Sequence, residues 1–293
     1  MNAKEPAIPQ NNIDAFIPAE MAQRAEDVGV KKANLPAGTM FILAVLAGAF
    51  IALGSVFSTT VTAGAGAMPF GVTKLLGGVT FSLGLILVVI AGAELFTGNN
   101  LIVMALASRK ITVTQLLRGW MIVFVGNFVG SIATAGCVLV SGHHLHGNAA
   151  VGMNALAIAS SKCQLGLFQA IALGILCNAL VCLAIWLCYS ARSATDKILS
   201  IVFPITAFVA AGFEHCVANM YLVPIGIFIK TFASEAFWQK AGASASEFDM
   251  LNWNNFIFVN LIPVTIGNVF GGSVMVGLVY WFIYLRPKNG TKS

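Results

Sequence analysis

The chain has 293 residues, of which 58% are hydrophobic and 9% charged, with a formal net charge of +5. Soluble domains carry about 25% charged residues, so this composition excludes an ordinary soluble domain and predicts a polytopic membrane protein. The positive charge does not indicate nucleic-acid binding, because the basic residues fall mostly in short loops between apolar runs.

Residues 1–36 are predicted to be a polar N-terminal segment without a signal peptide. Within it, residues 14–30 have the pattern of an amphipathic helix that lies on the membrane or over a pore mouth. A frayed amphipathic tail is the alternative interpretation. The predicted apolar face carries Phe16, Ile17, Met21, Ala25 and Val28.

Six apolar runs follow, each about long enough to cross the hydrocarbon core of a bilayer. The second and the fifth are too long for one straight helix, so each is predicted to be two half-helices with a break between them. A break cannot face lipid, because each unpaired peptide group there costs several kcal/mol, and it must therefore line a cavity enclosed by protein. The runs are 38–61, 72–107, 112–141, 165–190, 196–233 and 255–285.

Both long runs contain the pattern Ala-Gly-x-Glu-x-x-x-x-Asn, which starts at Ala91 in one and at Ala211 in the other. A second shared pattern, Gly-Asn-x-x-Gly, starts at Gly126 in the third run and at Gly267 in the sixth, and its glycines are interpreted as helix-packing positions. Two pairs in the same order indicate an internal repeat. With three spans in each half the repeat must be inverted, which predicts a binding or permeation site near the membrane midplane.

We therefore expect an all-α membrane protein with six transmembrane helices, built as an inverted repeat with two broken helices. The channel domain is predicted over residues 37–286, with halves at about 37–141 and 165–286, and a short tail follows at 287–293. Basic residues near the span ends place both termini in the cytoplasm under the positive-inside rule. They are Arg24, Lys31, Lys32, Arg109, Lys110, Arg192, Arg286, Lys288 and Lys292 on that side, against Lys74, Lys162, Lys230 and Lys240 on the other.

His215 is the only histidine within a predicted span. Ionisable residues are costly in a membrane and usually mark a pathway, so His215 is predicted to lie on one; a core histidine bonded to a backbone carbonyl is the alternative. Glu94 and Glu214 occupy matching positions in the two halves and are interpreted as structural, each carboxylate accepting backbone N–H groups at its break. Asn99 and Asn219 close the repeated motif and are assigned the same structural role.

Thr97 and Asn178 are further polar candidates for the pathway, although Asn178 is equally well explained as a bond between neighbouring helices. Lys162, at the outer mouth of the fourth span, is either an attractor of anions or a solvated lysine. Leu95 and Phe96 lie within the first break and are candidates for an apolar constriction. Three residues that flank the breaks are further constriction candidates: Phe81, Leu85 and Phe208.

The six cysteines are mostly single residues within apolar segments and are predicted to be buried thiols. No Cys-x-x-Cys or Cys/His ligand spacing occurs, so neither a metal nor another cofactor is expected. His143, His144 and His146 cluster between the third and fourth spans and are interpreted as part of an outer loop.

The run Phe213-Glu214-His215-Cys216-Val217-Ala218-Asn219-Met220 resembles the formate/nitrite transporter family, most closely its formate-conducting bacterial members, and the resemblance covers nearly the whole chain. The Cys216-Val217 pair is the one departure from the family pattern, and it is mild. Further matching runs are Met68-Pro69-Phe70-Gly71, Phe81-Ser82-Leu83-Gly84-Leu85-Ile86, Glu94-Leu95-Phe96-Thr97, Tyr189-Ser190-x-Arg192-Ser193 and Asn260-Leu261-Ile262-Pro263-Val264-Thr265-Ile266-Gly267-Asn268.

The resemblance implies an aquaporin-like protomer in a homopentamer of the bacterial cytoplasmic membrane, with a pore through each protomer. Carried over by position, His215 is the central pore histidine, Thr97 and Asn178 are its polar neighbours, and Lys162 is a vestibule lysine. Leu85 with Phe208 resembles one constriction, and Leu95 with its break resembles the other.

The substrates implied by the resemblance are formate, nitrite and hydrosulfide, all small monovalent anions of weak acids, and formate is favoured by whole-chain likeness. The N-terminal helix resembles a segment proposed to gate the pore and to contact pyruvate formate-lyase. In such a pore, half-helix N-termini after Thr97 and after Val217 would aim positive dipole ends at the lumen. His215 would then hydrogen-bond the anion or give it a proton.

Two other classes of function are consistent with a membrane protein. An intramembrane enzyme would use His215 and Glu214, but no Gly-x-Ser-x-Gly, His-Glu-x-x-His or other nucleophile-plus-base motif occurs, so we do not expect an enzyme. A structural membrane scaffold would leave two breaks with buried acids unexplained.

Overall fold

Eleven helices build the part of the chain that this computed structural model describes, residues 14–287, and no strand occurs within it. The predicted N-terminal segment and tail therefore lie partly outside the described residues. In chain order the helices are α1 (Pro18–Ala33), α2 (Ala37–Val61), α3 (Phe70–Ile90), α4 (Gly98–Ala107), α5 (Val113–Val140), α6 (Ala150–Lys162), α7 (Leu167–Ser190), α8 (Ala194–Ala210), α9 (Cys216–Phe232), α10 (Glu235–Ala241) and α11 (Asn255–Tyr284).

Five of these helices are long and apolar enough to cross a membrane: α2, α3, α5, α7 and α11. Helices α9 and α10 are bent by 110° relative to each other. Within residues 14–287 they add a sixth crossing if they count as one span. The predicted breaks in the second and fifth runs are confirmed, because α3 ends before α4 begins and α8 ends before α9 begins. The predicted fifth run, 196–233, corresponds to two helices: α8, which has only 17 residues, and α9, which follows the break.

The two breaks have the same backbone geometry. Gly92 and Gly212 adopt φ angles of +81° and +74°, a left-handed conformation in which a side chain is strained. One residue later, the N–H of Ala93 donates to the carbonyl of Val88 at 2.9 Å and the N–H of Phe213 donates to that of Phe208 at 3.0 Å. The repeat is therefore visible in backbone conformation as well as in sequence.

An asparagine on the last span of each half holds each break in place. Nδ2 of Asn127 donates to the carbonyls of Ala44 and Glu94, at 2.7 and 2.9 Å, while its Oδ1 accepts the N–H of Phe96 at 2.9 Å. Asn268 repeats this pattern with Gly174, Glu214 and Cys216 at 2.8, 2.9 and 2.9 Å. Peptide groups that the break removes from the helix ladder thus gain partners from side chains.

The paired glycines act as predicted, because they let backbones approach closely. A Cβ atom on Gly130 would collide with the carbonyl of Val45 on α2, and one on Gly271 would collide with the carbonyl of Ile175 on α7. Helix α5 therefore packs tightly on α2, and α11 packs in the same way on α7.

Helix α6 is the main element that the sequence reasoning missed, since residues 142–164 were expected to be an outer loop. It buries Val151, Ala155, Leu156 and Ala159 and packs on α9. Helix α1 has the matching place in the first half, where it packs on α4. Each half thus consists of a short helix, a span, a broken span and a span.

Helix α1 begins four residues later and ends three residues later than predicted. It buries Met21, Ala22, Ala25, Gly29 and Ala33, so the interpretation of this segment as a frayed tail is wrong. An ion pair between Lys110 and the buried carboxylate of Glu26 adds a polar attachment. Burial by itself would raise the pKa of Glu26, but hydrogen bonds from Lys110, Ser108 and Gln23 together hold that pKa below its ordinary value.

Candidate functional site

Two cavities approach the middle of the molecule, each bounded by one break. The Lys162 cavity, of about 560 Å³, reaches His215, and the Lys32 cavity, of about 520 Å³, reaches Leu95. The Lys162 cavity is also lined by Ser55, Thr59, Lys74, Phe81, Asn154, Phe208, Glu214 and Asn219, and the Lys32 cavity by Val28, Leu43, Val88, Glu94, Gly98, Ile102 and Tyr189.

His215 is the last residue of the second break and is only 2% exposed. As the N-cap of α9, its Nδ1 accepts the N–H of Ala218 at 3.0 Å. Its Nε2 lies 2.9 Å from the hydroxyl of Thr97, which belongs to the first break and is fully buried. Because Nδ1 accepts, the proton of a neutral ring is on Nε2, and Nε2–H donates to the Thr97 oxygen. Thr97 and His215 are thus brought together as the sequence reasoning required.

Two predicted constriction residues form an aromatic wall beside the histidine. The ring of Phe208 stacks on that of His215 with centroids 5.8 Å apart, and Phe81 packs edge-on against Phe208 at 5.7 Å. Both phenylalanines line the Lys162 cavity. Leu85 is buried in the same core, 1% exposed, without lining either cavity.

The other two constriction candidates have different surroundings. Leu95 lines the Lys32 cavity, and in the repeat it occupies the position that His215 has in the second half. Phe96 does not line either cavity, because its ring packs against Phe124 and Trp120 at 5.1 and 6.2 Å. The assignment of Phe96 to a constriction is therefore corrected: the chain turns at the break, so neighbouring side chains point in different directions.

Lys162 is neither an isolated nor a fully solvated lysine. It is the last residue of α6, its side chain is 13% exposed, and its Nζ lies 2.7 Å from Oε1 of Glu214. Oε2 of that carboxylate accepts from Nδ2 of Asn219 and of Asn260, at 2.7 and 3.1 Å. The cavity thus contains a lysine whose counter-charge, the Glu214 carboxylate, is held in place by two asparagines. Oδ1 of Asn219 is buried without a partner among the described residues.

The Lys32 cavity contains a matching cluster, and the sequence reasoning missed its cation. Nζ of Lys32 lies 3.1 Å from Oε2 of Glu94 and 2.8 Å from Oδ1 of Asn99, whose Nδ2 donates to the same carboxylate at 2.7 Å. Lys32 precedes the first span as Lys162 precedes the fourth, and that shared position was the available signal.

The partners of the two glutamates differ from those expected. Glu94 and Glu214 accept from lysine and asparagine side chains rather than from the N–H groups of the breaks. The break N–H groups of Phe96 and Cys216 are instead satisfied by Asn127 and Asn268. Each carboxylate therefore serves as the counter-charge of a cavity lysine.

Asn178 forms bonds between helices. It is fully buried, and its Nδ2 donates to the carbonyl of Asn268 and to Oδ1 of Asn100, both at 2.7 Å. A longer contact of 3.3 Å reaches the carbonyl of Thr97. Asn178 therefore fixes the first break beneath Thr97 and does not itself line either cavity.

The remaining predictions concern cysteines and outer histidines. Five cysteines are buried, but Cys137 is exposed on α5, which corrects the prediction for that residue. His143 and His144 lie in a short helical turn as expected of a loop, although His144 is buried against Phe237. Among residues 14–287, no group of three potential ligands is arranged to hold a metal ion.

Comparisons with known proteins agree with this architecture. Residues 19–282 match the family model described as formate/nitrite transporter. The chain is 49% identical over 279 residues to the formate channel FocA of Escherichia coli K12, and the aligned region covers 95% of this chain and 98% of that protein. It is 45% identical over 265 residues to FocA of Haemophilus influenzae, covering 90% and 93%.

Two solved structures are also similar. A pentameric formate channel with formate bound superposes with a TM-score of 0.82 and 51% identity, covering 85% of this chain and 98% of that one. An ion channel of the same family superposes with a TM-score of 0.77 and 29% identity, covering 90% and 98%. These relatives transport solutes, which decides against the intramembrane enzyme. With its apolar spans, its paired breaks and a family match over nearly its whole length, this multi-pass membrane protein belongs to the formate/nitrite transporter family.

Proposed function

We propose that the protein conducts formate across the bacterial cytoplasmic membrane, by a path that joins the two cavities through the Thr97–His215 contact. The single observation that carries the proposal is this contact, 2.9 Å long, between the two breaks and between two polar cavities. Relatives also support the proposal, because the proteins that are 49% and 45% identical to this chain are named formate channels.

The lysines make each cavity attractive to an anion. Lys32 and Lys162 are both held beside a carboxylate, so a visiting anion meets a positive charge whose position is fixed. Among the described residues each cavity also has a second lysine without a carboxylate partner, Lys197 beside Lys32 and Lys74 beside Lys162, so each keeps a net positive charge. A paired lysine can concentrate a monovalent anion by attraction without trapping it, which conduction requires.

The short segment between the cavities is the main barrier, because a bare anion loses its hydration there. Phe81 and Phe208 form the apolar wall on one side, and Leu95 is on the other. At the centre, the Nε2–H of His215 and the hydroxyl of Thr97 offer hydrogen bonds. A passing carboxylate can replace Thr97 as the partner of His215, or His215 as the partner of Thr97. In either case it gains a hydrogen-bond donor at the driest point of the path.

Proton transfer needs one further step. A neutral imidazole does not protonate formate, so Nδ1 of His215 must first take a proton from solvent, which breaks its bond from the N–H of Ala218. The imidazolium then gives the Nε2 proton to the anion and is left neutral with its proton on Nδ1. Passage as a neutral acid and passage as an anion bonded to a neutral ring both use Nε2. We infer that His215 acts through Nε2 in either case.

The experiment is formate flux into proteoliposomes between pH 5 and pH 8, with wild type and His215→Asn compared. Asparagine is an efficient N-cap, so this variant keeps the start of α9 while removing Nε2. We expect a changed pH profile and a larger leak of the anion. His146→Asn, in the outer turn, is the matched control. Identical flux and an identical pH profile in His215→Asn and wild type would refute the proposed role of the histidine.

The alternative within the family is conduction of nitrite or hydrosulfide. The cavities do not distinguish these anions by charge, since all are small and monovalent. Competition among the three for uptake, in one preparation of proteoliposomes, decides the preference. A formate flux unaffected by excess nitrite and hydrosulfide supports a formate channel, whereas strong inhibition of a slow formate flux by nitrite supports the alternative.

We also propose a homopentamer with a separate pore in each protomer, and both termini in the cytoplasm. The pentamer is supported by the similarity to a structure described as pentameric, and the orientation by the positive-inside rule. Residues 37–286 would form the channel domain of each protomer. Mass measurement of the detergent-solubilised protein and protease protection of terminal tags test these two statements.

Contact between α1 and pyruvate formate-lyase is a further proposal. The exposed side of α1 carries Glu20, Gln23, Arg24, Asp27 and Lys31, which gives a partner a charged surface. Of these, Arg24 also attaches the helix to α7 through its bond to the carbonyl of Tyr189. Co-purification with the lyase should be lost in Glu20→Ala/Gln23→Ala and retained in a variant of the exposed Lys240. Equal retention in all forms contradicts this contact.

A further inference from the structure

A third large cavity, of about 830 Å³, lies where α1 meets the end of α7 and the start of α8. We call it the basic pocket, because its lining contains four basic side chains and, among the described residues, Asp27 as the acidic one. It is continuous with the Lys32 cavity, with which it shares Val28, Val89, Cys188, Tyr189 and Lys197, but its lining does not include Glu94 or Leu95. Its four basic residues are Arg24, Lys31, Arg192 and Lys197.

Most donors of these four side chains are unused. The ammonium groups of Lys31 and Lys197 have no hydrogen bond or ion pair within residues 14–287. Arg24 donates one bond, to the carbonyl of Tyr189 at 2.9 Å, and Arg192 donates one, to the carbonyl of Asp14 at 2.8 Å. A guanidinium has five N–H donors, so both retain free donors for a multiply charged anion.

Phe16 separates this pocket from an apolar groove. The guanidinium carbons of Arg24 and Arg192 lie 3.6 and 3.5 Å from the centre of its ring, which places them on opposite faces. Phe16 also belongs to the lining of the groove, which has a volume of about 590 Å³. The groove residues that matter here are Met21, Leu180, Trp186, Ser190, Phe203 and Ala207.

The groove has the length of one leaflet of a bilayer. It follows α7 from Ser190 to Leu180, and ten helical residues rise about 15 Å. The hydrocarbon core of a bilayer is about 30 Å thick. The groove therefore extends from the charged end of α7 to about the midplane, with its apolar side chains where an acyl chain would lie.

We propose that the basic pocket and the groove together bind one anionic phospholipid. Its phosphate lies among the four basic side chains, and one acyl chain lies along α7 and α8. Basic pockets between membrane helices favour anionic headgroups, and the apolar continuation below Phe16 distinguishes a lipid from a free phosphate compound. Because Met21 and Arg24 belong to α1 and Phe16 lies just before it, the bound lipid fastens α1 to the spans.

The test is native mass spectrometry of the full-length protein in detergent, titrated with phosphatidylglycerol or with phosphatidylcholine. Wild type should retain phosphatidylglycerol preferentially. Lys31→Gln/Lys197→Gln, which removes two side chains without described partners, should bind it roughly 30-fold more weakly, from the usual contribution of a lysine near an anionic lipid surface. Lys240→Gln, on the exposed side of α10, is the control and should bind as wild type does.

A second variant tests the groove. Ala207→Trp places a large side chain in it and should also weaken retention of phosphatidylglycerol. Soluble glycerol phosphate should compete poorly. Equal retention of both lipids, or no effect of Lys31→Gln/Lys197→Gln, overturns the proposal. Strong competition by glycerol phosphate together with unchanged binding by Ala207→Trp shows a site for a soluble phosphate instead. A change in oligomer mass caused by Ala207→Trp shows that a second copy of the chain covers the groove, which also overturns it.

Discussion

The hydroxyl of Thr97 lies 2.9 Å from Nε2 of His215, so one hydrogen bond joins the two halves of the repeat at the point where their breaks meet. The other ring nitrogen is held by the N–H of Ala218 at 3.0 Å. The imidazole is therefore fixed at both nitrogens in its neutral form. A second proton on Nδ1 would remove the cap of α9, which favours a mechanism in which the ring stays neutral and Nε2–H donates a hydrogen bond to the anion.

Thr97→Val keeps the shape of the side chain but removes the oxygen that accepts from Nε2–H. The buried N–H is then unsatisfied, which costs about 1–3 kcal/mol, and a passing anion has lost one of its two donors. We expect formate flux in proteoliposomes to fall about tenfold or more. Thr97→Ser keeps the hydroxyl and is the control. If Val and Ser variants conduct equally well, the hydroxyl has no part in permeation.

Leu95→Ala should widen the path on the Lys32 side. Leu95 lines that cavity and is 2% exposed, so the truncation opens space next to the Thr97–His215 contact. Formate flux should rise, and acids bulkier than formate, such as acetate, should gain more. Phe96→Leu is the neighbouring control, since Phe96 packs on Phe124 and Trp120. A Leu95→Ala variant with unchanged selectivity for acid size contradicts a constriction at this residue.

Asn268→Leu should destabilise the second break. In this variant the N–H of Cys216 loses its acceptor, and the carbonyls of Gly174 and Glu214 lose the donor that Asn268 supplies. Unsatisfied buried groups cost about 1–3 kcal/mol each, so the thermal midpoint in detergent should fall by roughly 5–10 °C. Asn127→Leu should have a similar effect on the first break, whereas Asn34→Leu, at an exposed position, should have little. A midpoint for Asn268→Leu within a degree of wild type would show that the break does not need its asparagine.

The spans and breaks were predictable because they depend on features that sequence carries directly. Apolar length gives the spans, and the repeated Ala-Gly-x-Glu motif gives both breaks and the pairing of Glu94 with Glu214. Which group each carboxylate contacts depends on distant residues, so Lys32 was missed. Helix α6 was missed for a different reason: it is short and rich in small residues, and its burial against α9 is a tertiary effect.

The direction of the side chains at the breaks could not be predicted from the sequence either. Leu95 and Phe96 are adjacent and both apolar, and only the backbone turn directs one toward a cavity and the other into the core. Asn178 shows the same limit. A polar residue in the middle of a span predicts either a pathway or a bond between helices, and the three acceptors around its Nδ2 decide for the bond.

Acid should loosen the outer turn at His144. Burial, and secondarily the neighbouring ring of His143, lowers the pKa of His144 below its ordinary value of 6.5, and its Nδ1 is buried without a partner. Above pH 6.5 the ring is neutral in both folded and unfolded chains, so protonation contributes nothing. Below pH 6.5 the unfolded chain takes up a proton that the folded chain does not, and stability falls as pH falls until the folded pKa is reached.

His144→Phe removes this proton uptake while preserving the packing on Phe237, whose ring centre is 5.5 Å away. Hydrogen exchange of residues 143–151 should therefore accelerate between pH 7.5 and pH 5.5 in wild type, after correction for the intrinsic pH dependence of exchange. The acceleration should be smaller in His144→Phe, where only His143, whose pKa burial also lowers, still contributes. His146→Phe is the control, since His146 lies in the same turn and is exposed. The same acceleration in His144→Phe and wild type would assign the acid response to another group, because the only titrating ring removed is that of His144.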